Sequence, residues 1–373
     1  MVKKVKIIRF VKQNTVFCIA ALAALITCFL VPPDKEYPGY FNWMTLSCLF
    51  LTLAVVCALR NIKFFTILAR KLVTFAGNLR ALFLLLIVIT FLGSMVIAND
   101  MALITFLPLG YYALSVAKQE KYMAYLFVLQ NISANLGGML TPFGNPQNLY
   151  IYAYFHIPTA EFCKIMFPSF ALAVTLLILA CLPVKTVKFS ITEEFPEKLN
   201  RKKALLYCIL FLITVMIVFR WIPFWLGLIL IPAILFFTER DALFMVDYGL
   251  LGTFFFFFIF AGNLARIDVV NRVISQLLQK DTLLVSVLSC QFISNVPTAI
   301  LLSKFTTDYA PLLIGVNVGG TGTLIASLAS LITFSEFRIL YPEKTKQYLL
   351  IFTLLNLAFL VIMTLAAKFV FGV

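Results

Sequence analysis

Long apolar runs separated by short polar connections occupy the chain from end to end. A helix that crosses a bilayer needs ~20 apolar residues, and the sequence predicts such spans at 14–32, 41–59, 122–157, 162–184, 204–220, 223–238, 248–262, 306–335 and 348–371. Two further runs, 81–117 and 282–304, are apolar on both sides of a polar break, at Asn99-Asp100 and at Ser294-Asn295. Each reads as one long span or as a re-entrant hairpin. Two other stretches carry polar residues at helical spacing: 61–79 with Lys63, Thr66, Arg70, Lys71, Thr74 and Asn78, and 264–280 with Arg266, Asp268, Arg272, Gln276, Gln279 and Lys280. That pattern predicts helices lying on a membrane surface.

Two of the spans are interrupted, by Gly-Gly-Met-Leu-Thr-Pro-Phe-Gly-Asn-Pro-Gln-Asn at 137–148 and by Gly-Gly-Thr-Gly-Thr at 319–323. Backbone broken at membrane depth is tolerated where it lines a site for an ion or solute. Aligning Asn135 with Asn317 keeps an Asn, a Gly-Gly pair, a Thr, a Leu and a Phe in register across the two interruptions. An interfacial helix, a hairpin with Asn at its tip and a Gly-broken span therefore occur twice in the same order.

Composition agrees with this reading and narrows it. The chain of 373 residues is 62% hydrophobic, with a mean hydropathy of +1.01, as expected of an all-α polytopic membrane protein embedded in lipid. The formal charge of +14 comes from Lys and Arg in short loops between spans, a positive-inside bias rather than a nucleic-acid surface. Counting those charges puts the basic N-terminus in the cytoplasm, the loop 32–40 outside and Arg60 inside. A hairpin at 81–117 keeps Lys118, Lys121 and the basic stretch 185–203 inside, whereas a single crossing displaces them. The same count places 264–280 on the outer surface and makes 282–304 a hairpin entering from outside. The halves, 1–184 and 204–373 with the cytoplasmic linker 185–203 between them, are thus expected to have opposite orientation, the inverted-repeat arrangement of secondary transporters. Nine crossings and two hairpins leave the C-terminus outside. The start, Met1 to Lys12 before an apolar run, resembles a secretory signal but reads as a first transmembrane helix, because more spans follow directly.

Eight cysteines lie mostly inside spans without a CxxC pair, and read as small buried apolar residues. No His/Asp/Glu cluster, metal motif or nucleotide loop points to an enzyme. A solitary His156 argues against zinc chemistry. Asp247, Glu239, Arg240 and Asp241 fall at a span boundary, with Asp308 and Glu336 near span ends, and all read as solvated. Lys304 reads as snorkelling to the surface. Asp100 is the one carboxylate expected at midplane, where an acid is functional by default; it ligates Na⁺, carries a proton, or only caps the second hairpin helix. Helix ends at the breaks expose C=O groups suited to cations and N–H groups suited to anions. The candidate solute and ion site is therefore Asn99, Asp100, Thr141, Gly144, Asn145, Asn148, Ser294, Asn295, Thr298, Gly320, Thr321, Gly322 and Thr323, with Na⁺ expected at Asn99, Asn145, Asn295 and Thr323.

The segments Ala98-Asn99-Asp100, TPFGNPQNLYIY at 141–152, SNVPTAILLSKF at 294–305 and GGTGTLIASLASLITF at 319–334 resemble the citrate transporter-like and arsenite permease-like proteins of the ion transporter superfamily. The resemblance implies an elevator-type carrier, a homodimer, with Na⁺ or H⁺ as coupling ion in place of any organic cofactor. Asn99 and Asn295 match the Asn of the family's two Ser-Asn-Thr tips, and Ser294 matches the second Ser. Ala98 and Asp100 depart from the first tip, and Val296-Pro297-Thr298 from the second. The expected function is secondary active transport of a small anion, a carboxylate such as citrate or an inorganic oxyanion, across the plasma membrane. An arsenite or antimonite exporter and a Na⁺/H⁺ antiporter are the alternatives these departures favour.

Overall fold

The computed structural model describes residues 15–188 and 199–372. The basic segment before Thr15, the central residues of the expected linker and Val373 lie outside them, and with them the placement of the N-terminus. The described residues form helices joined by short turns, with one isolated antiparallel bridge between Asn78 and Lys188. Seventeen α-helices follow in order: α1 Thr15–Leu30, α2 Trp43–Asn61, α3 Phe64–Val73, α4 Leu79–Ile97, α5 Asn99–Val116, α6 Met123–Gly137, α7 Pro146–Tyr154, α8 Thr159–Cys181, α9 Arg201–Val218, α10 Phe224–Thr238, α11 Arg240–Phe244, α12 Tyr248–Ala265, α13 Asp268–Ile293, α14 Asn295–Leu302, α15 Tyr309–Val318, α16 Leu328–Leu340 and α17 Thr345–Phe369.

Local sequence sets where they begin. Asn42, Asn78, Asn200 and Asp247 each accept a hydrogen bond from the backbone N–H three residues on, capping α2, α4, α9 and α12. Asp281 does the same for Leu284 and is the one non-helical residue inside α13. The surface stretch ending at Lys280 and the hairpin arm starting at Thr282 are therefore one chain bent at a capped kink, which Lys368 of α17 secures by an ion pair with Asp281. The surface helix expected over 61–79 is shorter, α3 alone, burying Phe65, Ala69 and Val73 and leaving Leu68 and Lys71 exposed.

Among the described residues, five segments are long and apolar enough to cross a membrane: α2, α4, α8, the stretch Arg240–Ala265 and the stretch Pro342–Phe369. Helices such as α1 and α10 expose Ile19, Phe29, Ile229 and Phe237, the apolar outer face of a polytopic membrane protein. Helix α2 instead runs through the protein core, with Leu51, Ala54, Val55 and Cys57 fully buried. It packs against α9 and α10, while α1 lies along α12, where Phe17 meets Phe256 edge-on at 5.4 Å. Outside the spans, Arg266 Nη2 holds Asp34 at 2.6 Å and Nε reaches Glu36 at 3.3 Å. The guanidinium hydrogen bond lowers the Asp34 carboxyl below its ordinary range.

The remaining helices include two helical hairpins and two broken helices. In the first hairpin α4 pairs with α5, and α6 packs on both. Contact is close because Gly137 carries no side chain: a Cβ there would run into the Phe91 carbonyl oxygen and Ser94 Oγ. Gly137→Ala is expected to destabilise the protein by about 1–3 kcal/mol through overpacking. Gly77→Ala, where a Cβ meets nothing within 4 Å, is the control; thermal unfolding in detergent should show a fall in Tm for the first and little change for the second.

Candidate functional site

The two hairpins turn through a single residue each. Ala98, between α4 and α5, has φ 65° and ψ 154°; Ser294, between the second arm of α13 and α14, has φ 73° and ψ 159°. Only glycine occupies this region freely, and another residue there costs about 1–3 kcal/mol. The next residue clamps each tip. Asn99 Oδ1 accepts from the Asp100 amide at 2.9 Å, and Asn295 Oδ1 accepts from the Val296 amide at 2.9 Å. Both tips are also tied to a broken helix. Asn99 Nδ2 donates to Asn135 Oδ1 at 3.3 Å, while the Asn295 amide and Ser294 Oγ donate to the Ala326 carbonyl at 3.0 and 3.3 Å.

The carbonyls freed at the breaks also find partners. After α6 the chain passes through a tight turn at Gly138–Leu140 and restarts at Pro146, a residue suited to the first helical position. Asn148 Nδ2 serves the carbonyls this frees, donating to Gly138, Met139 and Thr141 at 3.0, 3.2 and 3.2 Å. After α15, Gln291 has that role: its Nε2 donates to Gly319 and Thr321 at 2.9 and 3.2 Å, and its Oε1 accepts from the Thr323 amide at 2.9 Å. Gly322, at φ 111°, lets the loop double back against that side chain.

The halves then interlock through paired Asn residues. Ser327, which begins α16, donates to Asn135 Oδ1 at 2.7 Å. Asn317 Nδ2 donates to Asn148 Oδ1 at 2.6 Å, and Asn145, which begins α7, reaches Asn317 Oδ1 at 3.4 Å. Asn131 Nδ2 adds a bond to Ser330 at 3.3 Å. Each half thus holds the restarting helix of the other.

Four helix starts, those of α5, α7, α14 and α16, consequently border one cavity of about 590 Å³. Asn99, Asp100, Gln147, Ser294, Asn295 and Ser327 supply its polar wall with Asp247, and Phe257, Phe260 and Phe292 its apolar wall. Among the described residues its lining contains no Lys, Arg or His.

Of the residues expected from sequence, Asn99, Asp100, Ser294 and Asn295 come together here, and Asn145 borders an adjoining pocket with Asp100. Thr141, Thr298 and Thr321 spend their hydroxyls on the carbonyls of Met95, Ser294 and Val318, and Asn148 its amide as described. Gly144 and Gly320 allow close approach, to the Gly138 carbonyl and to Asn295 Nδ2. Thr323 is exposed, bound to Gln291, and does not border the cavity with Asn99 and Asn295. Lys304 is half-buried with its ammonium 4.7 Å from the Tyr154 ring centre. Asp247 is a correction: rather than a solvated boundary charge, it caps α12 and faces the cavity. Gln147 and Ser327 lie beside residues the sequence singled out. Asn135 and Asn317 were visible as the aligned pair, though not as the hubs of the network.

A sequence profile of the citrate transporter family matches residues 6–313. An uncharacterized transporter of Methanocaldococcus jannaschii is 33% identical over 298 residues, 78% of this chain and 80% of its own. The inner membrane protein YbiR of Escherichia coli is 28% identical over 332 residues, 87% of this chain and 88% of its own. A silicon efflux transporter of Oryza sativa subsp. japonica is 31% identical over 161 residues, 42% of this chain and 32% of its own.

The bond between Asn135 and Ser327 should carry measurable coupling. Asn135→Ala strands three buried partners, Asn99, Asn131 and Ser327, and is expected to cost about 1–3 kcal/mol. In a double-mutant cycle with Ser327→Ala, the two losses are expected to fall short of additivity by at least ~0.5 kcal/mol. Additive losses in unfolding free energy would deny the cross-link.

Proposed function

The chain belongs to the citrate transporter family, and on that footing we propose that it is a secondary active carrier of a small inorganic oxo-acid, taken as its anion or as its undissociated hydroxylated form. The observation that carries this reading is the set of four helix starts around one cavity whose described lining residues include no basic side chain. A helix N-terminus contributes roughly half a positive charge and free N–H donors to an oxyanion. Four such ends approximately offset the carboxylates of Asp100 and Asp247. A solute of little net charge and many hydroxyl or oxo groups suits that balance, whereas a tricarboxylate would face two aspartates with no Arg or Lys among the described lining residues to pair it. The relative described as a silicon efflux transporter is in keeping with this substrate class.

In this proposal the halves are inverted repeats. Hairpins and broken helices form a body that moves elevator-fashion past a scaffold of residues 14–59 and 204–262, in a homodimer of the plasma membrane with N-terminus inside and C-terminus outside. A coupling cation, Na⁺ or H⁺, travels with the solute or against it. Asp100 favours one second reading, cation/proton antiport, since it brings a carboxylate to the tip of one hairpin only.

Counterflow in proteoliposomes tests the substrate class with arsenite, silicic acid, phosphate, sulfate, succinate and citrate. Arsenite or silicic acid is expected to exchange at least tenfold faster than citrate; citrate exchange as fast or faster would overturn the assignment. Asp100→Asn is expected to lower ion-driven uptake at least tenfold while leaving some solute exchange.

A further inference from the structure

Two of the four helices whose starts border the cavity are short. Helix α7 has nine residues and α14 eight, so their carbonyl ends lie only ~12–14 Å from their starts. A helix carries about half a negative charge at its carbonyl end, and over so short a span that charge cancels much of what the N-terminus offers an anion. Both carbonyl ends hold a cation. Arg220, which follows α9, donates from Nη2 to the Tyr152 carbonyl in the last turn of α7 at 2.7 Å and sets its guanidinium 4.8 Å from the Tyr152 ring centre. Lys304, two residues past the end of α14, brings its ammonium 4.7 Å from the ring centre of Tyr154, the last residue of α7. The two ends lie side by side, because Tyr150 and Ser303 share a hydrogen bond at 2.7 Å. Neither cation borders the cavity. Neither pairs with a carboxylate among the described residues, and Glu161 of the following α8 is engaged by the Tyr309 hydroxyl at 2.5 Å.

The long helices are arranged otherwise. Helices α5 and α16, with 18 and 13 residues, end ~20–27 Å from the cavity, and the basic residues there, Lys118 and Arg338, are exposed to solvent that screens them. The half-buried cations, Arg220 and Lys304, thus stand at the two carbonyl ends close enough to be felt in the cavity. The start of α7 also calls for a ligand: Gln147, 1% exposed, borders the cavity and leaves Oε1 without a hydrogen bond among the described residues, an acceptor for a solute hydroxyl.

We infer that Arg220 and Lys304 are specificity-determining residues that act at a distance. By offsetting the negative ends of α7 and α14 they leave the positive ends uncancelled, and so raise the affinity of the cavity for the anionic form of an oxo-acid relative to its undissociated form. This rests on the carrier reading above and deepens it. At ~12–14 Å and an effective dielectric constant of ~20, one unit charge changes the affinity for a monovalent anion about fivefold to tenfold, and that for a neutral solute hardly at all.

A thiol at the start of α14 reads this charge without any solute. In Ser294→Cys, at a position that borders the cavity, the thiol pKa follows from the pH dependence of alkylation, measured at that peptide by mass spectrometry of the full-length protein in detergent. Adding Lys304→Gln is expected to raise it by about 0.5–1, since loss of a nearby cation disfavours the thiolate. Lys304→Arg should leave it in place, as should Lys118→Gln and Arg338→Gln at the exposed ends. Dissociation constants from thermal shift at neutral pH, on the chain without the reporter, give a second readout. Lys304→Gln and Arg220→Gln should each weaken arsenate, an anion at that pH, at least threefold more than arsenite, which is undissociated, and Lys304→Arg should keep the wild-type ratio. An unmoved thiol pKa, or equal weakening of both solutes, would overturn the inference. Counterflow separates it from the carrier reading. Wild type that exchanges no oxo-acid removes that reading while the thiol still decides the charge at the helix ends, and an active carrier with an unmoved thiol pKa does the reverse.

Discussion

A peptide group deprived of its helical partner must find another before it can lie in an apolar interior, and the arrangement around residues 98–100, 138–145, 294 and 319–327 follows from that requirement. Each interruption frees several N–H and C=O groups at several kcal/mol apiece in hydrocarbon. The chain answers with amide side chains. Asn148 collects three carbonyls at the first break, Gln291 collects two at the second, and Asn99 and Asn295 fold back on the tips. Asn and Gln suit this role because each carries donors and an acceptor without a charge that would need a counterion. The result is a hydrogen-bonded body that holds two strained tips, Ala98 and Ser294, in backbone conformations normally left to glycine.

Satisfying the breaks from both halves also brings them together. Because Ser327 is held by Asn135 and Asn145 by Asn317, the two restarting helices cannot drift apart, and their N-termini face the same space as the two hairpin tips. Four partial positive charges then act on one volume, and the chain adds two carboxylates, not two arginines. In the proposed function, that choice is what separates this cavity from one that grips a multiply charged carboxylate. It also makes the cavity asymmetric: Asp100 sits at one tip, and Val296 occupies the corresponding place at the other.

Much of this was legible in the sequence, for reasons that differ by element. The spans were readable because apolar length is a strong signal; 41–59 and 223–238 fall within two residues of α2 and α10. The tips were readable because Asn99 and Asn295 interrupt apolar runs. Partnership was not. Nothing in linear spacing tells that Thr323 turns to Gln291 while Ser327 turns to the cavity, since both are hydroxyl residues in one loop. Asp247 was misplaced for a related reason: a charge at a span boundary is usually solvated, and only the packing of α12 against the hairpin tip turns it inward.

The most direct measurement is where a solute sits. Arsenic scatters X-rays anomalously, so crystals of the protein grown with arsenite would locate it without reference to any assumed pose. A peak is expected between the four helix starts, bordered by Asn99, Gln147, Asn295 and Ser327. A peak elsewhere, with that cavity empty at saturating arsenite, would contradict the claim that the broken helices exist to form the solute site.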